Sequence, residues 1–195
     1  ENCRANVLHT TPATAMRTDA LAQFLVFKRW DDLAMITGAH PEDAALATAM
    51  QASLQKFGLE IAGTKTWAFD ANMRRAAAAE APLFTQDLPD HDLLLIADAR
   101  DDFARYLSYA TWQPRPLALS EGLKPVAWSG VVEQNGAVQL QNRFREAHGR
   151  EMRPTDFAAW AAMAALGEAS TRRVTTDGDL SAPALRATLR APDFV

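Results

Sequence analysis

Several short apolar runs in this chain are each followed by residues able to grip a small molecule. His40, Glu42 and Asp43 come after Leu33-Ala34-Met35-Ile36, and Thr64 to Trp67 come after Leu59 to Gly63. Asp98 and Arg100 come after Leu93 to Ala97, Ser120 and Glu121 after Leu117-Ala118-Leu119, and Trp128 lies just beyond. In an open α/β sheet, ligands sit outside the carboxyl ends of the strands, where neighbouring loops converge, and that rule selects these side chains as candidate contacts. Indole rings offer flat faces, a guanidinium holds a carboxylate in a bidentate pair, and carboxylates, imidazole and hydroxyl complete a polar set. Such a set suits a planar, carboxylated molecule.

Each candidate also has a structural role open to it. Glu42 and Asp43 complement the dipole of a helix N-terminus, and His40 is equally an exposed helix cap. Asp98 can cap the helix or turn that begins near Asp101, and Glu121 in Ser-Glu-Gly can be a solvated turn residue. Of the other tryptophans, Trp160 shares an inward stripe with Phe157 and Ala164 and reads as core. Trp30 covers the surface at a helix end, and Trp112 lies in a Pro-rich loop.

The elements that must position these residues alternate. Thr11 to Trp30 reads as a helix, Asp32 to Gly38 as a strand, Pro41 to Phe57 as a helix that starts on Pro41 and stops at Gly58, and Leu59 to Gly63 as a strand. Ala71 to Glu80 is an alanine-rich helix capped by Asp70 and ended by Pro82. Leu93 to Ala97 is the most apolar strand and hence central. Asp101 to Tyr109 is a short helix, Leu117 to Leu119 a strand, and Asn135 to His148 a helix ending at Gly149. Thr155 caps a helix to about Ser170, Val174 to Leu180 connects, and Ser181 opens the last helix. Alternation of helices and strands predicts an α/β fold with a three-layer parallel sheet flanked by helices.

Composition narrows the function. A chain of 195 residues with 48% hydrophobic content can bury a core. A net charge of -4 opposes a general nucleic-acid surface, and no apolar run is long enough to span a membrane. The single Cys3 cannot form an internal disulfide. There is no G-x-S-x-G elbow, P-loop or G-x-G-x-x-G, and no Ser, His and Asp set in a recognisable context, so no catalytic residue is assigned. His9 and His148 lack metal-ligand spacing, and neither a metal nor a cofactor is assigned.

The run from Asn6 to Ile36, the unit HDLLLIADARDDF, the segment RPLALSEGLKPVAW and the late pair RPTDFAAWAAMAALGEAS and LSAPALRATLRAPDF together resemble the second lobe of type 1 periplasmic solute-binding proteins, the leucine/isoleucine/valine-binding family. More narrowly, NVLHTTP, PLFTQ, TWQPRP and QLQNRF resemble the branch that serves as substrate-binding component of ABC transporter systems linked to PQQ-dependent alcohol dehydrogenases (PQQ, pyrroloquinoline quinone). The resemblance covers nearly the whole chain, through diffuse motifs.

The resemblance implies a flavodoxin- or Rossmann-like lobe over 1–138 and a helical segment over 139–195 that packs mainly with a first lobe largely lacking here. It implies a periplasmic, non-enzymatic protein that binds a small molecule and hands it to a membrane permease. The positions around Glu42, Asp98 to Arg100 and Glu121 look like those from which relatives contact ligand, the acidic turn residue holding an ammonium group in amino-acid binders. One departure matters: His40-Pro41-Glu42-Asp43 stands where relatives carry aromatic and Gly-rich residues, which puts an ordinary aliphatic amino acid in doubt. PQQ stacked on Trp67 or Trp128 and neutralised by Arg100 is the leading expectation. A ligand-sensing or interaction domain without transport, and an α/β enzyme, are the alternatives.

Overall fold

The computed structural model describes residues 7–68 and 73–194, with backbone alone for 73–78. Along the chain run α1 (Thr14–Lys28), β1 (Leu33–Gly38), α2 (Pro41–Lys56), β2 (Ile61–Trp67), α3 (Met73–Thr85), β3 (Leu93–Ala97), α4 (Ala104–Leu107), β4 (Leu117–Leu119), α5 (Ala137–His148), α6 (Pro154–Thr176) and α7 (Ala182–Leu189). The strands form one parallel sheet in the order β2-β1-β3-β4. The chain divides into two compact units, Ala13–Pro125 and Glu1–Pro12 with Val126–Val195. The boundary expected from sequence, between 138 and 139, falls inside α5.

In the sheet unit the two-residue period of the strands sorts side chains into two cores. Leu33, Met35, Leu93 and Leu95 face α1 and α2, meeting Leu21, Leu25, Met50 and Leu54. Ala34, Ile36, Leu94 and Ile96 face the other way, onto Ala81 of α3 and Ala104 and Leu107 of α4. Helices therefore cover both faces, the three-layer α/β arrangement that the alternation predicts. The period breaks at β4: Leu117 joins the α3–α4 side and Leu119 the α1–α2 side, where Leu119 takes φ 89°.

Several boundaries differ from those read in sequence, each for a local reason. Leu59 belongs to the stop of α2: Gly58 turns with φ +75° and the Leu59 amide donates to the Leu54 carbonyl at 2.9 Å, so β2 begins later and ends on Trp67. Pro82 sits inside α3 and does not end it. The helix runs on to Thr85, whose hydroxyl donates to the Ala81 carbonyl at 2.8 Å. Asp70, the expected cap, lies outside the described residues. The helix after Asp101 shrinks to four residues, and Tyr109, just beyond it, adopts φ 62°. In the other unit α6 starts at Pro154 and continues to Thr176, into the first three residues of the expected connector.

The helical unit centres on Trp128, which stacks on Phe157 at 4.9 Å and clusters with Ala137, Met152, Leu140 and Phe144. Trp160 corrects an expectation. It stacks on Phe157 at 5.6 Å yet stays 45% exposed, and Met163, one turn further along the same face of α6, is 69% exposed, so this stripe is not enclosed as a core stripe would be.

Candidate ligand site

The sheet order places a topological switch point between β1 and β3: the chain leaves β1 towards β2 on one side and reaches β3 on the other. Loops diverge there at the carboxyl edge, which is where open α/β sheets take ligands. The loop after β1 carries His40, and the loop after β3 carries Asp98 to Asp102. These two loops meet. Ala99 donates its amide to Asp43 Oδ1 at 2.7 Å, while Asp43 Oδ2 accepts the His40 amide at 3.1 Å. At the rim, His40 Nε2 stands 3.5 Å from Asp102 Oδ2, and Arg100 Nε stands 3.7 Å from the same oxygen.

Behind the rim, Asp98 is 4% exposed, and its carboxylate accepts amides from Asp102 at 3.0 Å and from Phe103 and Ala104 at 2.8 Å each. It caps α4, the structural role open to it from sequence. Its own amide donates to Ser120 Oγ at 3.0 Å, which ties the loop after β3 to the end of β4. Glu121 closes the row, with Lys124 Nζ 3.3 Å from its Oε2 and the Ser108 hydroxyl donating to Oε1 at 3.5 Å. Glu42 is exposed on the first turn of α2.

Seven of the sequence candidates thus share one sheet edge: His40, Glu42, Asp43, Asp98, Arg100, Ser120 and Glu121. They split by depth. The carboxylates of Asp43 and Asp98 are buried and engaged by backbone amides, whereas His40 and Arg100 are about half exposed and present polar heads outward. The two candidate tryptophans do not stand open. Trp67 is 1% exposed, its ring 4.6 Å from that of Phe84 and 5.9 Å from that of Phe103, because as the last residue of β2 it faces the α3–α4 core. Trp128, 7% exposed, lies in the helical unit.

Asp102 and Lys124, which pair with the rim, are not among the residues singled out from sequence. The signal for Asp102 is its place two residues after Arg100 in the same short loop. For Lys124 it is the i,i+3 spacing from Glu121. Among the described residues no group of three His, Cys, Asp or Glu side chains is arranged to hold a metal ion, and no helix is long and apolar enough to cross a membrane.

No protein-family model matches the chain, and no curated protein matches its sequence. Solved structures do match it. A branched-chain amino acid ABC transporter protein from Rhodospirillum rubrum superposes with a TM-score of 0.68 at 13% identity, over 94% of this chain and 56% of its own. A solute-binding protein of an ABC transporter from R. palustris, in complex with benzoate, gives 0.62 at 17% identity, over 96% and 55%. An ABC transporter substrate-binding protein from Desulfitobacterium hafniense, in complex with Leu, gives 0.62 at 16%, over 92% and 55%. The chain has the fold of these solute-binding proteins. It spans a little more than half of their length.

Proposed function

We propose that this chain is part of a periplasmic solute-binding protein that delivers a small carboxylated molecule to the permease of an ABC-type uptake system, without catalysing a reaction. The observation that carries this reading is the convergence of His40, Arg100, Ser120 and Glu121 at the carboxyl edge of the sheet, with the switch point between the two loops that supply His40 and Arg100. A fold shared with proteins that hold benzoate and leucine supports a ligand of that size. Arg100 is the natural partner of a ligand carboxylate, because its guanidinium is half exposed and its contact to Asp102, at 3.7 Å, is long for a hydrogen bond. Glu121 has Lys124 and Ser108 beside it, which favours an anionic ligand over an ammonium.

PQQ is the narrower candidate and rests on the sequence resemblance. With both tryptophans packed in cores, its anchoring here would fall to Arg100 and His40. Along α6, Trp160, Met163 and Leu166 are exposed, which supports a segment that packs against a further lobe in the whole protein. Solute-binding proteins close two lobes on their ligand, so this chain alone should bind weakly. Thermal unfolding at rising PQQ, with benzoate and leucine in parallel, tests the reading, since a bound ligand raises the midpoint by mass action. The expected result is a rise with PQQ or benzoate that Arg100→Ala abolishes. No rise with any probe at high concentration, or a rise indifferent to Arg100→Ala, overturns it.

A further inference from the structure

We infer that Asp43 is the positioning residue of this edge: its buried carboxylate ties the loop bearing His40 to the loop bearing Arg100 and Asp102, and Gly38, by lacking a Cβ, leaves room for it. The inference rests on the proposed ligand site for its functional meaning, but its geometry stands alone. Asp43 is 1% exposed, and its two oxygens serve different loops, Oδ2 accepting from His40 and Oδ1 from Ala99, 56 residues further along the chain. A carboxylate that caps its own helix needs only the first of these bonds. The second spans the switch point. It fixes Ala99, immediately before Arg100, in a loop whose far end is held by Asp98 through the Asp102, Phe103 and Ala104 amides.

Gly38 is the complement. A Cβ there would lie 2.1 Å from Asp43 Oδ2 and 3.0 Å from Phe103 Cε1, so any side chain at the end of β1 would take the space of the carboxylate. Strand end, helix start and neighbouring loop thus meet on one functional group. If that group is lost, His40 and Asp102 keep their own helix and loop but lose what sets the distance between them.

The test is amide hydrogen exchange on the whole chain in wild type, Asp43→Asn and Asp43→Ala. An Asn side chain has one acceptor oxygen and one donor nitrogen, so it can satisfy only one of the two loop amides. Hydrogen bonds to a charged acceptor are the strong ones. Protection of the Ala99 or His40 amide should therefore fall about tenfold or more in Asp43→Asn, and at both amides in Asp43→Ala, while Leu94 to Ile96 keep theirs. Unchanged protection at both loop amides in the two variants overturns the inference. So does a loss spread evenly over β3, which would mark a general stability role. Should Asp43→Ala fail to fold, Asp43→Asn and Gly38→Ala decide the matter by the same amides.

A PQQ titration adds the functional arm: Asp43→Asn should weaken binding several-fold, whereas Leu54→Ala, a core change on the α2 side, should leave the affinity of the folded protein unaltered. Equal weakening in both overturns the positioning role. A wild-type chain that binds no PQQ counts against the ligand reading alone, because the exchange result is read without ligand.

Discussion

The two units solve the problem of burial differently. The sheet unit encloses side chains between layers, and every one of its largest fully buried residues, from Leu25 to Phe103, touches the sheet or a helix packed on it. The helical unit has no strand among its described residues. Over the whole of α6 only Ala158 and Ala169 are buried, and α7 buries none. Apolar residues are plentiful there, yet Met163 is 69% exposed and Val174 62%. A sheet gives each helix a broad surface to cover, whereas helices rich in alanine meet one another along narrow stripes. The helical unit's polar contacts are exposed and mostly local: Arg172 with Glu168 and the Ser170 and Thr171 hydroxyls bonded back all lie within α6, and Arg145 with Glu151 spans six residues, so they add little to the small cluster around Trp128.

The largest expected consequence is a gap in local stability. Amides of β1 and β3 should exchange only through global opening of the sheet unit, whereas those of α7 exchange by local fraying, a difference of several orders of magnitude in rate. Native-state exchange measures it, and comparable protection in α7 and β3 would break the comparison. Next comes core truncation. Leu95→Ala, at a fully buried central-strand position, should cost about 2–5 kcal/mol in chemical denaturation. Met152→Ala in the helical cluster should cost about 1 kcal/mol, since that small cluster can close over the gap. Similar losses for both would mean that the helical unit is as tightly enclosed as the sheet.

The same contrast explains what was legible in the sequence. β1, β3 and α2 were readable because burial on both faces makes a strand a continuous apolar run, and because Pro41 and Gly58 mark the ends of α2 by backbone geometry alone. Leu59 misled, since a hydrophobic residue after a helix-stopping glycine looks like a strand start. Pro82 misled for the opposite reason: tertiary packing of Ala81 and Phe84 carries α3 past a residue that local rules make a breaker. At the candidate site, the strand-end rule gathers residues that do share one sheet edge, but it does not rank their depth. Asp43 and Arg100 look alike in sequence as polar residues a few positions beyond a strand, and only the partners across the switch point distinguish a buried tie from an open rim. Trp67 shows the limit most clearly. A shift of the strand by a few residues moves the ring from the loop to the inward face of β2.

The smallest effect concerns acid, and it sharpens the comparison because each unit has a carboxylate held below its ordinary range. Asp156 accepts a bidentate pair from Arg150, at 2.7 and 2.8 Å, and the Arg153 amide at 2.9 Å, with the Arg150 hydrogen bonds the main cause of its lowered pKa. Asp19 is lowered chiefly by Lys56, at 2.6 Å, and then by the Ser53 hydroxyl at 2.7 Å. A carboxyl whose folded pKa lies below its unfolded one stabilises the fold above the unfolded value, and that contribution disappears as pH falls through the folded value. Both contributions are therefore complete at neutral pH and fade below the usual carboxylate range. Their consequences should differ. The helices joined by Asp19 also share Leu21, Leu25, Met50 and Leu54, so protonation should leave α1 and α2 in place. Asp156 sits in the first turn of α6, where its pairing with Arg150 and the Arg153 amide fixes the start of a helix with little buried surface. On acidification, NMR shifts of the Phe157 and Ala158 amides should move towards frayed values before those of Leu21 and Leu25 do, and Asp156→Asn should remove that transition while lowering stability slightly at neutral pH. Simultaneous movement of both sets would show that the two units respond to acid as one, and the contrast drawn from their packing would not extend to their electrostatics.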